Sequence, residues 1–291
     1  MYTLFKLELY KIFKRPRTFI AFGALTAFVV VLQLGLKSDG KEFIDFFLGD
    51  LSNTFKFEGN LLNGYAVCFF ILLSLIIHIP LLVVLISGDM ISGEANMGTL
   101  RLLLSKPITR TQFVLGKFAA TFVYVLCLLI WFAVLALVLS VWIFGTGDIL
   151  HMKNEYIVQI NSGDVLWRYI LAFLYAALAL TTIAALSFFI SLFAENSIGP
   201  IVATMCVIIV STILNTLNIP SFVAVKPYLF TSYLTDWRGF FDIDLNSANE
   251  AIKGSLANPS KMITGASILL GHIAAFIGLS IYFLKRKDIL T

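Results

Sequence analysis

Six stretches of this chain are long and apolar enough to cross a lipid bilayer, and few folds satisfy that requirement. A hydrocarbon core about 30 Å thick needs about 20 apolar residues per helix. Residues 18–36, 61–87, 113–144, 167–193, 198–217 and 263–284 each supply such a run. The expectation is an all-α integral membrane protein with six spanning helices, the last opened by Asn258 as N-cap and Pro259 at its first position. Composition agrees, because charged residues make up 13% of the 291, about half the share of a soluble domain. Mean hydropathy is +0.93.

Orientation follows from the basic residues near the helix ends. Place the N-terminus, the 88–112 loop, the 194–197 turn and the C-terminus on one side. That side then carries twelve basic residues, Lys106 and Arg101 among them, against five acidic ones including Asp288, a net +7. The other side keeps nine against twelve, a net −3, and the two give the +4 of the chain. Both termini are therefore expected in the cytoplasm.

Residues 1–17 do not resemble a cleavable signal. Tyr2, Phe5, Leu9, Ile12 and Phe13 form an apolar stripe and Lys6, Lys11, Lys14, Arg15 and Arg17 supply charge. This suits a helix lying in the cytoplasmic interface; a plain basic flank is the alternative.

The long polar interruption that joins basic residues to a helical pattern is Gly88 to Lys117. Met97, Leu100, Leu103 and Leu104 recur at three- and four-residue spacing, which predicts one short helix from about Ser92 or Gly93 through Leu104. Pro107 stops it. Thr109 and Gln112 form a Thr-x-x-Gln capping box that starts the next helix at Arg110. The segment reads as a cytoplasmic elbow between the second and third spans.

The pattern I-S-G-E, then G-T-L with further leucines, then S-K-P-I-T-R and Gly116-Lys117, resembles the first cytoplasmic loop of ABC-2-type transporter permeases. About thirty residues carry the resemblance, and the six-span layout agrees with it. It implies a type V exporter-like architecture in which the elbow is a coupling helix docked on a separate ATP-binding subunit. The coupling positions it implies are Gly93, Glu94, Gly98, Thr99, Arg101, Pro107 and Arg110, with Glu195 in the second cytoplasmic turn as a smaller contact. It further implies short re-entrant or extracellular helices between the fifth and sixth spans, where Phe222, Tyr228, Phe230, Tyr233, Trp237, Phe240 and Phe241 cluster with Pro220 and Pro227. The loops 37–60 and 145–166 have ordinary composition.

Catalytic patterns are not found. No G-x-x-x-x-G-K-[ST] occurs, since Phe118 follows Gly116-Lys117 where a hydroxyl is needed; ATP and magnesium are expected in a partner, and this chain is expected to be no enzyme. No H-E-x-x-H exists among the three histidines, and Cys68, Cys127 and Cys206 lie in apolar runs without C-x-x-C spacing. His78, beside Pro80, is the ionisable group to examine within a span. The central parts of the spans otherwise lack carboxylates, which argues against an ion-coupled carrier.

The function expected is the membrane-spanning permease subunit of an ATP-driven transporter in the bacterial cytoplasmic membrane. It would pair with an ATP-binding subunit and with a second copy or a homologous permease, in lipid and without nucleic acid. Export is what the resemblance implies; an amphipathic or hydrophobic substrate is what a path lined by Phe69, Phe70, Phe188, Phe189 and Asn215 would suit. The alternative is a scaffold or assembly factor that moves no substrate.

Overall fold

The computed structural model describes residues 2–48, 61–75, 78–105, 107–153, 156–217, 223–246 and 252–287. Lys106, Asp288, Pro220 and Phe222 lie outside them. Helix α1 (Tyr2–Lys14) turns into α2 (Pro16–Ser38), with Pro16 at the position where a missing N–H costs no bond. A short α3 (Gly40–Leu48) follows. Of the α1 stripe, Ile12 is buried and Phe5, Leu9 and Phe13 pack partly buried against the core, beside buried Leu4 and Glu8, whereas Tyr2 is 69% exposed.

Among the described residues five helices are long and apolar enough to cross a membrane, and a bent pair raises the number to six if it is one span. The pair is α4 (Gly64–Ser74) and α5 (His78–Ser87), bent by 56° within the run expected as one span. Proline kinks a helix by removing an N–H and crowding the carbonyl four residues earlier, and Pro80 sits just beyond the bend. His78 rests its ring on Phe28, centroids 4.9 Å apart.

After the elbow comes α8 (Arg110–Phe144), started by the expected capping box: Thr109 accepts from the Gln112 amide and the Gln112 side chain accepts from the Thr109 amide, both at 3.2 Å. Residues Val134–Val138 form a π turn. Gln33 of α2, 1% exposed, donates from its amide to the Leu135 carbonyl and the Ser140 hydroxyl, each at 2.8 Å. A widened turn displaces backbone carbonyls from their usual partners, and Gln33 supplies a donor there.

Most of the described residues are helical, and the 145–166 loop holds an antiparallel hairpin of β1 (Ile149–Lys153) and β2 (Tyr156–Ile160), with Ile149 opposite Ile160. Helix α9 (Leu166–Ser191) runs through the centre, touching α5, α8, α10 (Ile198–Thr216) and α11 (Pro259–Arg286). Its buried face is rich in small residues, Ala172, Ala179, Ala184 and Ala185, which let neighbouring backbones approach. Asn258 makes no capping hydrogen bond, so Pro259 alone marks the start of α11.

Between α10 and α11 the expected helices are instead three 3₁₀ turns among the described residues, Lys226–Tyr228, Phe230–Tyr233 and Asp236–Phe241. Phe230, Tyr233, Trp237, Phe240 and Phe241 are buried and Tyr228 is exposed. Arg168, fully buried near the start of α9, fastens this roof. It donates to Asp164 Oδ2 at 2.7 Å and to the carbonyls of Phe240 and Ser255 at 2.8 Å each. The planar guanidinium serves all three at once.

Candidate functional site

The elbow is two helices. Helix α6 (Asp89–Asn96) ends at Met97 and Gly98, and α7 (Thr99–Leu104) restarts. Gly98 has φ of +69°, the left-handed conformation that glycine adopts without penalty. The broken helix changes the faces: Leu100 is buried, whereas Met97 and Leu102 are 57% and 66% exposed. Arg101 lies within α7, and its side chain is outside the described set. Pro107 is exposed.

Glu94 turns inward and is 3% exposed. Its Oε1 accepts from Lys11 Nζ at 2.8 Å and from Lys117 Nζ at 3.3 Å, and its other oxygen accepts from the Thr99 hydroxyl. Lys117 also reaches Glu8 Oε2 at 2.7 Å, and Lys11 reaches Glu8 Oε1 at 3.0 Å. Two carboxylates and two ammonium groups thus close a buried quartet that joins α1, α6 and α8. Burial alone would raise the Glu94 pKa; Lys117, Lys11 and Thr99 outweigh it and hold the carboxyl down to about 2. Burial works against the charge on Lys11, and the hydrogen bonds and charges of Glu94 and Glu8 overcome it and push that ammonium up.

A second cluster lies one turn earlier. Asp89, 7% exposed, accepts from Arg15, from Arg17 Nη1 at 3.1 Å, and from the Ser197 hydroxyl. It therefore links the α1–α2 corner to the turn before α10. A Cβ at Gly93 would lie 2.5 Å from Asp89 Oδ1, so this glycine leaves the space the carboxylate occupies.

Of the positions taken from sequence, Gly93, Glu94, Gly98 and Thr99 gather at the elbow. Arg110 points elsewhere: it donates to the Leu284 and Lys287 carbonyls at 2.5 and 2.9 Å, capping the C-terminal end of α11. Glu195 is exposed on the turn that also holds Ser197, and makes no ion pair among the described residues. Sequence reasoning missed Glu8, Asp89 and Lys117 as partners. Lys117, charged inside an apolar run, was the available signal.

A cavity of about 290 Å³ lies under the roof, between the α4–α5 bend, α8, α9 and α10. Of the five expected path residues, only Asn215 lines it. Phe188 is fully buried against Phe118, Phe69 packs on Trp237 and Phe241, Phe70 meets Phe43, and Phe189 stacks on Phe276. Those four rings hold helices together because each lies within contact of another ring.

The family model described as ABC-2 family transporter protein matches residues 2–289, nearly the whole chain. A comparison with curated proteins finds no match. Members of the family are transmembrane subunits, not catalytic ones, and generally work with an ATP-binding subunit. A multi-pass membrane protein with a bent second apolar pair, a polar elbow and a roofed cavity, this chain belongs to the ABC-2 transporter family.

Proposed function

We propose that this chain is the permease subunit of an ATP-driven exporter of an amphipathic or hydrophobic substrate, with residues 1–17 as an interfacial helix and 18–291 as a six-span domain in the bacterial cytoplasmic membrane, both termini inside. ATP and magnesium belong to a partner subunit, and a second copy or a related permease completes the complex. The observation that carries the reading is the buried quartet. Because Lys117 joins carboxylates on α1 and α6, a push on the elbow is delivered to α1 and α8 together. Gly93, Glu94, Gly98 and Thr99 shape that lever, and Arg110 ties the start of α8 to the end of α11. The docking face is the exposed tip of the elbow, Met97, Leu102 and Pro107; Arg101, by its place in the sequence, and Glu195 on the neighbouring turn are proposed to add to it. Met97 and Leu102 are the exposed apolar side chains a partner would cover there.

The test is a complex reconstituted with its ATP-binding subunit. Met97→Asp with Leu102→Asp is expected to abolish copurification and substrate-stimulated ATP hydrolysis while the chain still inserts and folds. Full retention of both activities by the double variant would remove the elbow tip from the interface.

A further inference from the structure

We infer that the roofed cavity binds a neutral amphiphile, a single medium-length alkyl chain carrying a hydroxyl, amide or carbonyl head and no net charge. Its volume of about 290 Å³ lies just under the range of about 300–1,000 Å³ for small-molecule sites, enough for one chain and too small for a two-chain lipid. Its walls are apolar, with Leu72, Phe132 and Ile183 from three different elements, and none of the lining residues is ionisable. A charged head brought there would lose its water and gain no counter-ion.

The polar groups converge on the roof end. Thr231 lines the cavity, is 7% exposed, and its hydroxyl has no hydrogen-bond partner. Among the buried polar atoms without a partner, those of Gln33, Tyr175, Ser187 and Asp236 belong to residues outside the cavity wall, so Thr231 is the one whose residue lines it. Nearby, the Asn215 side-chain oxygen is taken by the Ser232 hydroxyl at 3.1 Å, which leaves the Asn215 amide N–H groups as donors. A buried hydroxyl left unpaired costs stability, and a ligand head that gives and accepts one hydrogen bond removes that cost. The Thr231 hydroxyl can donate or accept, while Asn215 donates, so an alcohol, ester or amide head satisfies both and a cation satisfies neither donor.

Calling this molecule cargo rests on the permease reading; its binding does not. The test uses the full chain alone in lipid nanodiscs, with a photoreactive decanol and the matching alkyl sulfate as probes and cross-links mapped by mass spectrometry. The expected result is saturable decanol labelling at Leu72, Phe132 or Ile183, on the order of tenfold above the sulfate. Thr231→Val should weaken competition by free decanol roughly fivefold while leaving the melting temperature unchanged or raised, since it deletes an unpaired group. Ala176→Phe, which fills the cavity, should abolish the label. Equal labelling by both probes, labelling indifferent to Ala176→Phe, or no label in the cavity would each overturn the inference. Binding that survives in a complex unable to transport would count against the permease reading alone.

Discussion

Lys117 places its ammonium 2.7 Å from Glu8 Oε2 with 1% of its own side chain and 3% of that of Glu8 exposed. The pair is 109 residues apart in sequence. Removing one member of a buried pair leaves a charge with no water and no partner, which typically costs about 3–5 kcal/mol. Lys117→Met should fall in that range, because Lys11, 37% exposed, is then the one cation left to two buried carboxylates. The combination Glu8→Leu with Lys117→Met should cost less than Lys117→Met alone, since Glu94 keeps Lys11. Thermal unfolding of the two variants and the parent protein in one detergent checks the order, and a double variant worse than the single would refute it.

The same quartet sets a pH window. Glu94 has its carboxyl held down to about 2 against an ordinary value of 4.5; a depressed acid stabilises the fold above its unfolded value and loses that contribution as pH falls toward the folded one. Lys11 is raised from 10.5, so its contribution is complete below that value and fades as pH rises above it. Melting temperature should therefore be flat between about pH 5 and pH 8 and decline as pH falls below 4.5 toward 2. Glu94→Gln should lower the plateau and flatten the acid decline. An unaltered acid limb in Glu94→Gln would assign the decline to other carboxylates.

Two glycines of the elbow separate backbone strain from crowding. Gly98 has φ of +69°, and a Cβ added there would meet nothing within 4 Å, so Gly98→Ala incurs only the left-handed penalty, about 1–2 kcal/mol. Gly93 is different, since its added methyl would strike the Asp89 carboxylate and displace it from Arg15, Arg17 and Ser197. Gly93→Ala should impair coupled ATP hydrolysis in the reconstituted complex more than Gly98→Ala does. A larger loss in Gly98→Ala would place the turn, and not the Asp89 cluster, at the centre of the lever.

What the sequence disclosed was local. The capping box at Thr109 and Gln112 needs residues three apart, and the apolar runs are contiguous, so both could be read directly. Gly98 was a visible breaker, yet leucine spacing favoured one elbow helix, and the left-handed turn overrode it; the 56° bend near Pro80 falls within the run read as the second span. Lys117, charged inside an apolar run, was a signal, but its partner was hidden because Glu8 looks like an ordinary acid in a basic flank. Their pairing depends on α1 lying against α8, which no spacing encodes. Of the path residues, Asn215 lines the cavity, whereas the rings of Phe188 and Phe189 pack on Phe118 and Phe276, contacts between helices that no local spacing encodes.

Asp236 offers a variant that should gain stability. Its carboxylate sits in the roof, with Oδ2 buried and unpartnered, and its one cation among the described residues is Lys261, 3.3 Å away on a side chain 60% exposed. Burial pushes the carboxyl up from its ordinary 3.8, and the charge and hydrogen bond of Lys261 do not cancel that. A raised acid favours the fold below its unfolded value and opposes it as pH climbs through the folded one. At neutral pH the ionised group therefore works against the roof, and neutral Asn of the same shape should relieve the cost. Asp236→Asn is expected to raise the melting temperature at pH 8, with the gain shrinking as pH falls through the raised value of the folded carboxyl and gone by the ordinary 3.8. Because a screened, exposed lysine returns little to the pair, the loss of that contact should not reverse the sign. If Asp236→Asn instead lowers the melting temperature at pH 8, the Lys261 contact holds the roof in place.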